Sequence, residues 1–160
     1  MNATLVNPFL QGAQEILATI CGTKPPLGNV FVKKIPYNAD EVSIQIDIIG
    51  DLTGKAIYTM KRPAACFVVS KMMSRAVSAT LDDISKSALA ELGNMISGRV
   101  ATMLSNNGKV VDITPPLFGI NAPPTDFSFP TRILKLICMP LNLPDGLVFE
   151  LDIFIIEEPS

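Results

Sequence analysis

The sequence contains no histidine and no tryptophan. The first absence is the more restrictive, because it removes Ser-His and Cys-His nucleophile pairs and, with no cysteines at ligand spacing, the usual zinc sites. Only three cysteines are present, Cys21, Cys66 and Cys138. They stand far apart in apolar sequence, which fits reduced core thiols rather than a disulfide framework. Basic clusters are missing as well. Thirteen Lys and Arg against 15 Asp and Glu give a net charge of -2, and the two tyrosines and eight phenylalanines are not interleaved with basic residues. A nucleic acid is therefore not an expected partner. Charges interrupt every apolar run before it reaches membrane-spanning length, and MNATLVNPFLQGAQEILATICG at residues 1–22 lacks a basic leader. We expect a cytoplasmic protein with no membrane segment. Any chemistry must come from carboxylates, amides, hydroxyls or the groups of a partner.

What is present suits one domain over residues 1–160, because 48% hydrophobic residues in a chain of this length can bury a core without staples. Helical periodicity over 2–21 stops at Gly22 and the Lys24-Pro25-Pro26 run. In EVSIQIDIIG at 41–50, Val42, Ile44, Ile46 and Ile48 alternate with Ser43, Gln45 and Asp47, the pattern of a half-buried strand. A turn at 51–54 returns the chain as KAIYTMK, making a hairpin. A second helix starts at Pro63, and the longest starts near Thr80 as N-cap and stops at Asn106-Asn107-Gly108. That helix spans about 26 residues, or roughly 39 Å. Strand KVVDI follows, then a stretch, FGINAPPTDFSFP, too rich in proline and glycine to be regular, so the 117–130 region reads as a loop. Strands RILKLICM and GLVFELDIFII close the chain. The fold class is α+β, a mostly antiparallel sheet of about six strands with long helices packed on it. The order falls into two pseudo-repeated halves, each a long helix followed by three strands.

The longest helix carries SALAELGNMISG at 87–98, with one charged residue and two glycines. Ser87, Glu91, Asn94 and Gly98 fall in a sector about 60° wide at about 100° per residue, so they form one line. Ala88, Leu89, Leu92, Ile96 and Met103 centre on the opposite side, and small residues Ala90, Ser97 and Ala101 flank the line. Two mid-helix glycines, Gly93 and Gly98, together give up nearly 2 kcal/mol relative to alanine, at about 0.8–1 kcal/mol each. Close approach of another backbone is the usual reason, either another segment of this chain with Glu91 an ordinary solvated acid, or a partner. An asparagine amide donates and accepts hydrogen bonds but takes no proton. It suits holding a water in line, which phosphoryl transfer tolerates because its transition state demands positioning more than a strong base. A glutamate beside it could recruit a lysine or a metal in a partner's site.

The pattern Ser87-x3-Glu91-x2-Asn94-x3-Gly98 within KSALAELGNMISGRV, followed by GKVVDITPP at 108–116, resembles the CheC/CheX/FliY family of phosphatases. The resemblance extends over the leading helix, the hairpin IQIDIIGDLTGKAIYTM and the closing strand, and implies the CheC/CheX-like fold. It implies dephosphorylation of the aspartyl-phosphate of a CheY-type response regulator of bacterial chemotaxis. Glu91 would contact the regulator's active-site lysine and Asn94 would orient the attacking water, with Ser87 and Gly98 shaping the contact. The protein would need no cofactor or metal of its own, since Mg2+ belongs to the regulator. A homodimer joined through the sheets is implied too. The closing strand, with Leu147, Phe149, Leu151, Ile153 and Ile155 on one face and Val148, Phe154 and Ile156 on the other, would aggregate at a free edge unless covered or paired.

Some members of the family carry the motif twice, and the first helix has Gln11-x3-Glu15-x2-Ala18-x3-Gly22, the same spacing with alanine where the asparagine would stand. This reads as a decayed second copy, against helical periodicity alone. Gly50-Asp51-Leu52-Thr53-Gly54-Lys55 looks like a phosphate loop but is one residue short and precedes a strand, so it is a hairpin turn. The alternative to an enzyme is a non-catalytic adaptor using the same helix face to dock a response regulator or a flagellar switch component.

Overall fold

A computed structural model describes residues 3–77, 80–120 and 129–157. Helix α1 (Ala3–Cys21) ends at Gly22, whose φ of 82° is left-handed and whose N–H bonds the Ala18 carbonyl at 2.8 Å. Strands β1 (Phe31–Lys34), β2 (Val42–Gly50) and β3 (Leu52–Met60) follow, then helices α2 (Arg62–Met73) and α3 (Asp83–Asn106). Strands β4 (Val111–Ile113), β5 (Leu117–Ile120), β6 (Lys135–Asn142) and β7 (Val148–Glu157) complete the described chain. They form one seven-stranded antiparallel sheet in the order β1-β6-β7-β3-β2-β4, with β5 also paired to β2. The α+β class is as expected, with one strand more than the sequence pattern offered.

The extra strand is β5. The 117–130 region was expected to be a loop, but Leu117–Ile120 pairs with Val42–Gln45 of β2, and Gly119 is buried there. Edge pairing needs only backbone groups, so composition alone does not forbid it. The rest of that stretch up to residue 128 lies outside the described residues.

Buried side chains from all three helices and from one face of the sheet make one core, including Phe9, Leu17, Val68, Leu92, Ile96, Ile44, Ile46, Tyr58, Phe149 and Leu151. The opposite face of β2, expected to be solvated, is also covered, since Ser43 and Gln45 are buried. A smaller cluster of Tyr37, Ile57, Leu136 and Phe154 packs on that side. The closing strand β7 is central rather than at an edge. It pairs with β3 from Leu52↔Glu157 to Met60↔Phe149, and with β6 on its other side. The strand carrying the most continuous apolar sequence therefore has both hydrogen-bonding sides satisfied. The end of the sheet is β1, paired to β6 alone among the described strands.

Candidate functional site on helix α3

The N-cap of helix α3 lies two residues later than the Thr80 cap expected from sequence. Asp82 is the N-cap, in extended conformation, and its carboxylate accepts from the Ser85 N–H at 2.9 Å and the Ser85 hydroxyl at 2.7 Å. Those bonds hold the Asp82 carboxyl below its ordinary pKa. Thr80 loses to Asp82 because the intervening Leu81 takes a left-handed φ of 50° while its side chain is 1% exposed. A buried leucine in that strained conformation fixes where the chain enters the helix.

The helix is then held along its inner side. Leu89, Leu92, Ile96, Val100 and Leu104 are buried in the main core. Ser97, expected beside the exposed line, is instead buried, and its hydroxyl lies 2.7 Å from the Tyr58 hydroxyl of β3. Gly12 of α1 brings the two long helices together: a Cβ there would stand 3.0 Å from Val100 Cγ2.

On the outer side Ser87, Glu91 and Asn94 are exposed and Gly98 is half-buried, so the four residues singled out by spacing do share one outward face. Their backbone is fixed by the core beneath them while their side chains are free to meet another molecule. The two glycines divide. Around Gly98 a Cβ would meet nothing within 4 Å, which agrees with an open contact surface. Gly93 points inward: a Cβ there would stand 2.8 Å from Ile44 Cγ2 and 3.4 Å from Ile46 Cδ1. Its absence of a side chain seats α3 on β2, so only Gly98 leaves open space on the outward face. Ile84, 59% exposed, lies on the same side one turn before Ser87 and escaped the sequence reading, which followed the polar line alone.

The line on α1 behaves differently. Gln11 and Glu15 are exposed and Ala18 half-buried, but the Glu15 carboxylate accepts from Arg99 Nε of α3 at 2.7 Å. Glu15 thus joins the two helices, and Ala18 offers no group to position a water.

A second constellation lies on the far side of the sheet, assembled from residues too distant in sequence to suggest it. Lys33 of β1 donates to Glu150 at 2.6 Å and to Asp152 at 3.0 Å, and Tyr37 donates to Asp152 at 2.5 Å. One sulfur and two carboxylate oxygens of Cys138, Glu150 and Asp152 lie within 4.8 Å of one another, the spacing of a metal site. The Lys33 ammonium already stands between the two carboxylates, so the cluster is an internal ion network. Burial and the neighbouring Asp152 push the Glu150 carboxyl up to about 7, against the pull of Lys33. Among the described residues no helix is long and apolar enough to cross a membrane.

Comparison with known proteins gives this geometry a setting. A model of the CheC-like family matches residues 84–120, which include the whole outward line and β4. The CheY-P phosphatase CheX of Thermotoga maritima is 37% identical over 119 residues, covering 72% of this chain and 75% of that protein. A crystal structure of a CheX-CheY-BeF3-Mg+2 complex from Borrelia burgdorferi contains a chain 29% identical to this one, with a TM-score of 0.76 over 94% of this chain and 96% of that one. The chemotaxis protein CheX of Desulfovibrio desulfuricans is 25% identical, with a TM-score of 0.79 over 96% and 99%.

Proposed function

The chain belongs to the CheC-like family, and from that premise we propose that it hydrolyses the aspartyl-phosphate of a CheY-type response regulator. The observation that carries this reading is the outward pairing of Glu91 and Asn94 on adjacent turns of a helix whose other side is locked into the core. Fixed backbone beneath exposed polar groups is what a water-positioning device requires, because misplacement by about 1 Å can cost 10²-fold in rate.

In the proposed reaction α3 lies across the regulator's phosphorylation site. The Glu91 carboxylate receives the regulator's lysine ammonium, a charge-assisted bond that sets the register of docking. One turn on, the Asn94 amide holds a water in line with the bond from phosphorus to the aspartyl oxygen. The water oxygen attacks phosphorus, that bond breaks, inorganic phosphate leaves, and the aspartate carboxylate is restored. The magnesium ion that neutralises the phosphoryl oxygens comes with the regulator, and this chain adds no cofactor. Ser87 and Gly98 border the contact as small groups that let the partner's backbone approach.

Phosphate release from each phosphorylated CheY-type regulator of the source organism tests this directly. The chain should accelerate release from at least one, and Glu91→Ala should lower kcat/KM about 10- to 100-fold, the worth of a charge-assisted hydrogen bond. Binding without acceleration would replace the enzyme by an adaptor that docks a regulator or flagellar switch component.

The same reading makes the protein a cytoplasmic homodimer joined through its sheets. Supporting it is the side of β1 that no described strand pairs, where Val30, Phe31, Val32, Ile35 and Leu134 are exposed beside a groove of about 450 Å³ lined in part by Val32, Leu134, Ile137 and Ile155. An apolar edge of this kind is normally paired. Light scattering should give twice the chain mass, and Val32→Asp should halve it; a wild-type monomer at micromolar concentration would rule the arrangement out.

A further inference from the structure

Seven residues before Glu91, the outer face of α3 carries an isoleucine that the described residues leave largely uncovered. Ile84 is 59% exposed, in the first turn of the helix between Asp83 and Ser85, where polar residues surround it in sequence. At about 100° per residue it stands within about 20° of Glu91, so it extends the line of Ser87, Glu91 and Asn94 toward the helix N-terminus. Met95, half-buried, falls about 20° beyond it at the same angular step. The outward face therefore has two edges, a polar one through Ser87 and Asn94 and an apolar one through Ile84 and Met95.

From this we infer that Ile84 is an apolar anchor for the response regulator, and sets the affinity of docking while Asn94 sets the rate. The inference rests on the proposed phosphatase reading for the identity of the partner. Distance makes it compatible with a single interface. Ile84 lies about 10 Å from Glu91 and about 15 Å from Asn94 along the axis, at 1.5 Å per residue. A standard interface of about 800 Å² per partner has a radius of about 16 Å, so a regulator seated on Asn94 reaches Ile84. Energetics call for such a contact. Glu91 and Asn94 exchange water for protein hydrogen bonds with modest net gain, whereas removing an isoleucine side chain from water is favourable without directional demands. The occupant is the same regulator, because Ile84 and Glu91 belong to one continuous helix face.

The position also makes the test clean. Ile84 makes no contribution to the buried core, so Ile84→Ser should leave the unfolding midpoint nearly unchanged. Two measurements are needed: turnover of the phosphorylated regulator, and binding to each CheY-type regulator of the source organism loaded with beryllofluoride and Mg2+. Ile84→Ser should raise KM and the dissociation constant about tenfold with kcat unchanged. Ile84→Leu, which keeps the apolar surface, should restore both to within about twofold. Unaltered binding in Ile84→Ser would overturn the anchor even if Asn94→Ala stops turnover. Conversely, a wild-type chain that binds but does not accelerate phosphate release would sink the phosphatase reading, while the binding series would still decide the role of Ile84.

Discussion

Asn94→Ala should lower kcat for phosphate release by about 10²- to 10³-fold and leave KM within about threefold. The magnitude is that of removing one preorganised hydrogen-bonding group from a reacting centre. The split between kcat and KM follows from where the side chain stands. Asn94 is exposed and faces outward, so its loss empties no core and removes no contact holding α3 to the sheet. Glu91 and Ile84 remain to dock the regulator, and the water is left without an orienting amide. Asn94→Asp is the sharper control. It keeps the shape but replaces the NH2 donor by a second acceptor oxygen and sets a negative charge against the phosphoryl group, so it should fare no better than alanine. Stopped-flow or steady-state phosphate release measures both. Wild-type turnover in Asn94→Ala would exclude water positioning by this residue.

Gly93→Val should destabilise the fold by about 3 kcal/mol, and Gly93→Ala should cost about 1 kcal/mol. In an isolated helix alanine would gain about 0.8–1 kcal/mol over glycine. Here the added Cβ would stand 2.8 Å from Ile44 Cγ2, and Ile44 is a buried β-branched side chain on an internal strand, stiff about its first torsion. The strain of overfilling a packed core, about 1–3 kcal/mol, exceeds the helical gain. Gly98→Ala is the opposite case. With no atom within 4 Å of its Cβ position, it should raise stability by about 0.8 kcal/mol. Its added methyl lies on the proposed docking face, so KM rather than kcat is the parameter it should worsen. Urea unfolding of the three variants provides the comparison; a stabilised Gly93→Ala would show that α3 does not sit on β2 as closely as described.

These opposed signs mark where the sequence stops. Residues 87–98 determine by themselves that Ser87, Glu91, Asn94 and Gly98 share a face, because helical phase is fixed by local spacing. The alternation of Val42, Ile44, Ile46 and Ile48 likewise determines β2, and its hairpin with β3 follows from the short turn between them. Which side of α3 each glycine serves is not a local property. Gly93 and Gly98 look alike in sequence, and only the placement of β2 under the helix separates them.

The same holds for the sheet. Strand pairing is set by which apolar faces the helices cover, so β7, last in the chain, lies in the middle, and β1, a four-residue strand, forms the end. Leu117–Ile120 became a strand because β2 offered it an edge, against its own composition. Lys33, Tyr37, Glu150 and Asp152 meet only because β1, β6 and β7 are neighbours, over separations of more than a hundred residues. Local chemistry fixed the helix that would do the work, since capping and periodicity act within a turn or two. Sheet order, the seating of that helix and the exposure of Ile84 depend on burying apolar surface between distant segments, a choice that only the folded chain makes.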